Sequence, residues 1–131
     1  MMAETNKQIV LGVDDDSRVR EAIESLLEMA GYEALVFSSA DELLRSPALA
    51  PAACVITDVR MPGMDGIELQ RRLKVDYPKL PIIFVSAHFD DEIRQRALDG
   101  GAVDFMYKPF DGVDLLCAID RAVNNSSNDP V

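Results

Sequence analysis

The sequence predicts an α/β protein, a five-stranded parallel sheet with helices on both faces. Three observations predict it. Short apolar runs alternate with amphipathic segments five times along the chain without interruption. The runs are continuously apolar, as suits strands buried on both faces. The segments between them carry apolar residues at helical spacing, so each strand reaches the next through a helix, which makes neighbouring strands parallel and the crossovers right-handed.

Ile9 to Val13 is the first run, and Asp14, Asp15 and Asp16 end it. Val19, Ala22, Ile23, Leu26 and Leu27 follow at helical spacing, with Gly31 where that helix should stop. Tyr32 to Phe37 reads as the second strand. Ser39-Ala40-Asp41-Glu42 is a capping-box pattern with Leu43 and Leu44 behind it. Cys54 to Thr57 is the third strand, followed by Asp58 and the loop VRMPGMDG. A helix is predicted from Ile67 to Tyr77, with Ile67, Leu73 and Val75 inward, ending before Pro78. Ile82 to Val85 is the fourth strand, with Ser86 at its end. Asp90 to Leu98 is a helix with a thin apolar stripe, closed by Gly100-Gly101. Asp104 to Tyr107 is the fifth strand. The last helix is predicted over Val113 to Val123, with Leu116, Ile119, Ala122 and Val123 at core spacing. No internal repeat, low-complexity tract or second domain interrupts this pattern.

A chain of 131 residues is of one-domain length and able to bury a substantial core. The pattern divides it into an extension over 1–8, a domain over 9–124 and a polar tail or linker start over 125–131. Its 13 basic residues face 23 acidic ones, a formal net charge of -10 that repels nucleic-acid phosphates and anionic lipid, so neither is an expected partner of this domain. Cys54 and Cys117 sit inside apolar runs and read as core thiols in a reducing compartment. The first residues lack a signal pattern and no apolar run approaches membrane-spanning length, which predicts a cytoplasmic protein.

Sites in open α/β sheets lie beyond the carboxyl ends of the strands. Here those ends carry Asp14, Asp15 and Asp16, then Asp58, then Ser86, then Lys108-Pro109. Two unit charges 4 Å apart interact by about 4 kcal/mol at an effective dielectric of 20. Folding has to tolerate that repulsion, protonate one acid or bind a cation, and Mg²⁺ favours such oxygen ligands. Lys108 supplies a fixed positive charge and Ser86 a hydroxyl donor. Carboxylate, metal, ammonium and hydroxyl around one aspartate suit phosphoryl transfer to that aspartate. Asp16 and Asp65 read more simply as helix caps or turn residues, and His88 as a loop residue.

The pieces VDDD, TDVRMPGMDG, VSAH and KPF, in this order and covering the chain from Ile9 to Val123, resemble the receiver domain of bacterial response regulators. The RMP loop and the stretch GAVDFMYKPF look closest to its FixJ-like branch. The resemblance implies a flavodoxin-like, doubly wound (βα)5 fold with strand order 2-1-3-4-5. It implies Asp58 as phosphoacceptor and a Mg²⁺ ion, for which Mn²⁺ can stand in. The ion would be held by Asp15, Asp58 and the Arg60 backbone carbonyl, with Asp14 acting through water. It implies phosphate stabilisation by Lys108 and Ser86, a switch made of Ser86 and Phe105, a cis bond before Pro109, and Arg60 and His88 as residues tuning phosphate lifetime. The implied donor is a histidine kinase or phosphotransfer protein. The implied target, reached through the surface of the fourth helix, fifth strand and fifth helix, is a downstream protein or an output domain of the same chain, and phosphorylation-dependent dimerisation is implied with it. The domain would catalyse only its own phosphorylation and dephosphorylation. Serine at 86, where the family often has threonine, lacks the methyl that restricts the rotamer. Phe105, where tyrosine is common, cannot donate a hydrogen bond.

Two other classes fit less well. A phosphohydrolase with an aspartate nucleophile usually carries a second aspartate two residues on, where this chain has Arg60. A flavin-binding domain of the same sheet type needs a first loop that cradles phosphate, and DDDS repels it.

Overall fold

In the computed structural model, which describes residues 7–127, each apolar run is a strand. These are β1 (Ile9–Val13), β2 (Glu33–Phe37), β3 (Cys54–Asp58), β4 (Ile82–Ser86) and β5 (Asp104–Tyr107). Between and after them lie α1 (Ser17–Met29), α2 (Ala40–Leu44), α3 (Gly66–Asp76), α4 (Asp91–Asp99) and α5 (Gly112–Ser127). All strand pairs are parallel, in the order β2-β1-β3-β4-β5. The register pairs Val13 with Thr57, Asp58 with Val85 and Ser86 with Tyr107, which brings the carboxyl ends of the central strands to one edge of the molecule.

Alternate strand residues point to opposite faces, so a doubly covered parallel sheet has two cores. Val10, Ile56 and Ile83 pack with Ile23 and Leu27 of α1 and Leu115, Ala118 and Ile119 of α5. Leu11, Val55 and Phe84 pack on the other side with Leu43 of α2, Leu69 and Leu73 of α3, and Ala97 of α4. The helices differ in what anchors them. Leu115, Ala118, Ile119, Ala122 and Val123 give α5 a continuous buried stripe, whereas Ala97 is the one buried residue of α4.

The element boundaries follow local chemistry. Asp16, Ser39, Asp65 and Asp90 each cap a helix by accepting a backbone N–H. In the predicted capping box Ser39 accepts from the Glu42 N–H at 3.2 Å, but the Glu42 carboxylate reaches one residue further back, to the backbone and hydroxyl of Ser38. Gly31, at φ +93°, ends the first helical unit in the left-handed region that glycine favours.

Four packing expectations are corrected. Val75 is 72% exposed, because the inward stripe of α3 is Leu69, Gln70 and Leu73, and a residue two past Leu73 lies across the helix axis. Leu115, not Leu116, is the fully buried member of its pair, with Leu116 half-buried beside it. Ala22 lies on the exposed side of α1. Cys117 is exposed, two residues round the helix from Leu115, while Cys54 is buried in β3 with its thiol pushed up to about 12 by burial. The last helix also continues past Val123 to Ser127, so 125–127 of the expected tail are helical. Residues 1–6 and 128–131 lie outside the described residues, and with them most of the expected extension and the end of the tail. A short 3₁₀ turn over Pro47–Leu49, capped by Ser46, lies between α2 and β3, where the sequence predicts no element. Among the described residues no helix is long and apolar enough to cross a membrane.

Candidate functional site

The site forms where β1, β3 and β5 run out. Asp14 follows β1 directly and its side chain is wholly buried. Its Oδ1 accepts the Asp16 N–H at 2.9 Å, and the Arg20 guanidinium bonds its backbone carbonyl at 2.8 Å. Asp58 is the last residue of β3 and is buried, with Oδ1 accepting the Val59 N–H at 2.7 Å. Lys108 follows β5, joined to Pro109 through a cis peptide bond. Its ammonium donates to Asp14 Oδ2 at 2.7 Å and to Asp58 Oδ2 at 3.1 Å. One cation thus bridges two carboxylates that are far apart in sequence.

Asp15 completes the cluster from the solvent side. It is exposed, and one carboxylate oxygen from each of Asp14, Asp15 and Asp58 lies within 4.8 Å of the others. Three carboxylates against one ammonium leave two negative charges at a half-buried site. Burial pushes the Asp58 carboxyl above the usual carboxylate range and the Asp14 charge pushes it the same way, against the pull of Lys108. Burial works to lower the Lys108 ammonium, but its hydrogen bond to Asp14 and the charges of Asp58 and Asp14 outweigh burial and hold it above the usual lysine range. Hard oxygen donors, a residual charge of two and one open flank fit a divalent cation such as Mg²⁺.

The surrounding backbone holds Asp58 closely. The Thr57 hydroxyl donates to the Asp58 carbonyl at 2.8 Å, and the Gly66 N–H donates to the Val59 carbonyl at 2.8 Å. A Cβ at Gly66 would lie 2.1 Å from the Asp58 carbonyl oxygen, so only glycine lets α3 begin this close to the aspartate. Met61 is buried behind the loop.

Ser86 is buried at the end of β4, but its hydroxyl is engaged in its own turn. It accepts the His88 N–H at 3.1 Å and donates to the His88 carbonyl at 3.3 Å. Phe105 is buried in β5 between Phe84 (ring centroids 5.7 Å apart) and Tyr107 (5.5 Å). Tyr107 carries the stack outward to Phe89, at 4.3 Å and 78% exposed, beside the exposed His88. Phe89 and Tyr107 extend this row beyond the expected switch pair of Ser86 and Phe105, and aromatic residues two apart in one strand are the sequence signal for it. Arg60 is exposed, and its guanidinium pairs with Asp90, the cap of α4, at 3.8 Å. Arg60 thus occupies the position where the phosphohydrolase alternative needs a second aspartate.

A doubly wound sheet in this strand order carries a carboxylate cluster and a lysine at its carboxyl edge, a class of site able to hold a divalent cation beside a carboxylate nucleophile. The family model of the response regulator receiver domain matches residues 10–120, and the chain belongs to that family, the receiver domains of two-component response regulators. Among curated proteins it is similar to the response regulator protein TmoT of Ectopseudomonas mendocina, 41% identical over 117 residues that cover 89% of this chain and 53% of TmoT. It is also similar to the transcriptional regulatory protein FixJ of Bradyrhizobium diazoefficiens, 36% identical over 122 residues that cover 93% of this chain and 60% of FixJ. The chain therefore spans about half the length of these relatives. A solved receiver domain protein from Clostridium thermocellum superposes with a TM-score of 0.87 at 33% identity, covering 92% of this chain and 97% of that one. The family match gives no support to the phosphohydrolase alternative.

Proposed function

We propose that Asp58 accepts a phosphoryl group from a phosphohistidine on a histidine kinase or phosphotransfer protein. An Asp58 carboxylate oxygen attacks phosphorus, the bond from phosphorus to the imidazole nitrogen breaks, and the freed imidazole takes up a proton. Mg²⁺, or Mn²⁺ in its place, would neutralise charge between the carboxylates and the phosphoryl oxygens. Asp15, Asp58 and the Arg60 carbonyl would hold the ion, with Asp14 acting through water. Lys108, already fixed against Asp14 and Asp58, supplies the second positive charge without having to reorganise.

The observation that carries this reading is the shared lysine: one ammonium bridging two buried aspartates, with Asp15 beside them, at the carboxyl edge of the sheet. Ser86 would leave its turn with His88 to donate to the phosphoryl group. Phe105 would then turn toward the space vacated, changing the surface of α4, β5 and α5. His88 and Arg60 flank the site and would set how long the phosphoryl group survives. The domain acts on nothing but its own aspartate. Its target is a downstream protein or an output domain such as the added length of TmoT and FixJ would accommodate. Phosphorylation would also favour a dimer. The protein works in the cytoplasm, and this acidic domain does not itself bind DNA or membrane.

Incubation with a small phosphodonor and Mg²⁺ should load one phosphoryl group per chain, measured by intact mass. Asp58→Asn should remove it, and so should chelation of Mg²⁺. Stoichiometric loading that persists in Asp58→Asn would discard the assignment.

A further inference from the structure

Asp90 uses its two carboxylate oxygens differently. Oδ1 accepts the backbone N–H groups of Glu92 and Ile93 at 3.1 and 3.2 Å and so caps α4. Oδ2 faces the Arg60 guanidinium at 3.8 Å. Arg60 belongs to the loop that follows Asp58, so this one carboxylate ties the loop after the phosphoacceptor to the first turn of α4. The helix opens on three acidic residues (Asp90, Asp91 and Glu92), and Arg60 pairs with the first of them.

The other end of α4 is held by α3. The buried Gln70 donates from Nε2 to the Ala97 carbonyl at 2.9 Å, and the Lys74 ammonium donates to the Gly100 carbonyl. The fit there is tight: a Cβ on Gly100 would lie 2.8 Å from Gln70 Oε1. Ala97 is the one fully buried residue of α4, with Ile93 and Leu98 half-buried against the same core, so these polar ties add to a thin apolar floor.

We propose that Arg60 is a positioning residue that exchanges Asp90 for a phosphoryl group on Asp58, which frees the amino-terminal end of α4 while Gln70 and Lys74 keep its carboxyl-terminal end in place. The inference rests on Asp58 being the phosphoacceptor. The Arg60–Asp90 pair is exposed, 58% and 38% for the two side chains, and such pairs hold weakly. On Asp58 a phosphoryl group carries about 1.5 to 2 negative charges where the carboxylate carried one, two residues before Arg60 and on oxygens that reach further from the backbone. Its oxygens offer the guanidinium a paired acceptor geometry that it matches well. The stronger anion takes the arginine, and α4 loses its tie at one end only. The result is a pivot about the Ala97–Gly100 end.

Beryllofluoride with Mg²⁺ is the probe, titrated into the wild type, Asp90→Asn, Arg60→Gln and the double variant. Asparagine still caps a helix, so Asp90→Asn removes the competing charge and leaves α4 folded. It should tighten beryllofluoride binding by about 1.5- to 5-fold, the range an exposed ion pair can supply. In the Arg60→Gln background the same change should do nothing. Amide exchange at saturation should rise over 88–94 and stay level over 97–101. Equal tightening by Asp90→Asn in both backgrounds, no tightening in either, or exchange rising evenly along α4 would overturn the proposal. Failure of the wild type to take up the probe would instead overturn the phosphoacceptor reading, and this inference with it.

Discussion

Two stretches of the same strands obey opposite rules. In their interiors Leu11, Ile56 and Phe84 are fully buried among other apolar side chains, and every contact there favours the fold. Two or three residues further on, the same strands deliver Asp14, Asp58 and Ser86 to an equally buried edge, where like charges oppose each other and one lysine offsets them. The interior supplies stability, and the edge holds charge that a ligand can relieve. Binding sites often sit at a cost to the fold in this way, and substitutions should expose the difference in sign.

The largest effect is expected in the interior. Phe84→Ala should destabilise the domain by about 3–5 kcal/mol, since the ring is wholly buried against Phe105 and the start of α3. Denaturant unfolding would measure this, and the loss should be the same with and without Mg²⁺. Lys108→Met comes next, with an expected loss of about 2–4 kcal/mol, because it leaves Asp14 and Asp58 buried without their cation. Here Mg²⁺ should restore part of the loss. The gap between wild type and Lys108→Met should also depend on pH. The Lys108 ammonium is held above its usual range in the folded state, so its contribution is complete below the unfolded lysine pKa of about 10.4. It is then lost as pH rises through the higher folded value. Unfolding curves at neutral and strongly alkaline pH should show the gap closing at the alkaline end, and a gap that widens there would contradict the assignment of Lys108.

Much of this was legible in the sequence, and the part that was not has a physical reason. The strands were clear because a parallel sheet covered on both faces forces continuous apolar runs, which only their ends break. Asp14, Asp58 and Lys108 were legible together because charged residues directly after such runs have no other place to go than the carboxyl edge. Helix facing was harder. Leu115 and Leu116 are adjacent and both apolar, so spacing alone does not say which faces the sheet, and the choice of Leu116 displaced the expected stripe. The same ambiguity put Cys117 and Val75 inside when they are outside. The Arg60–Asp90 contact was invisible because it joins polar residues whose proximity exists only after the chain has folded.

The smallest expected change tests the central claim most directly. Asp58→Asn removes one buried charge from a cluster that holds three carboxylates against one ammonium. Burial and Asp14 hold the Asp58 carboxyl above its usual range, so its ionised form costs stability at neutral pH, and that cost fades as pH falls and the group protonates. Thermal unfolding of wild type and Asp58→Asn, each with and without Mg²⁺ at neutral pH, would read this out. Without the ion the variant should be the more stable by about 1 kcal/mol, and Mg²⁺ should raise the wild type more than the variant. A variant less stable than wild type without the ion, or equal stabilisation of both by Mg²⁺, would contradict a carboxylate cluster held together by a divalent cation.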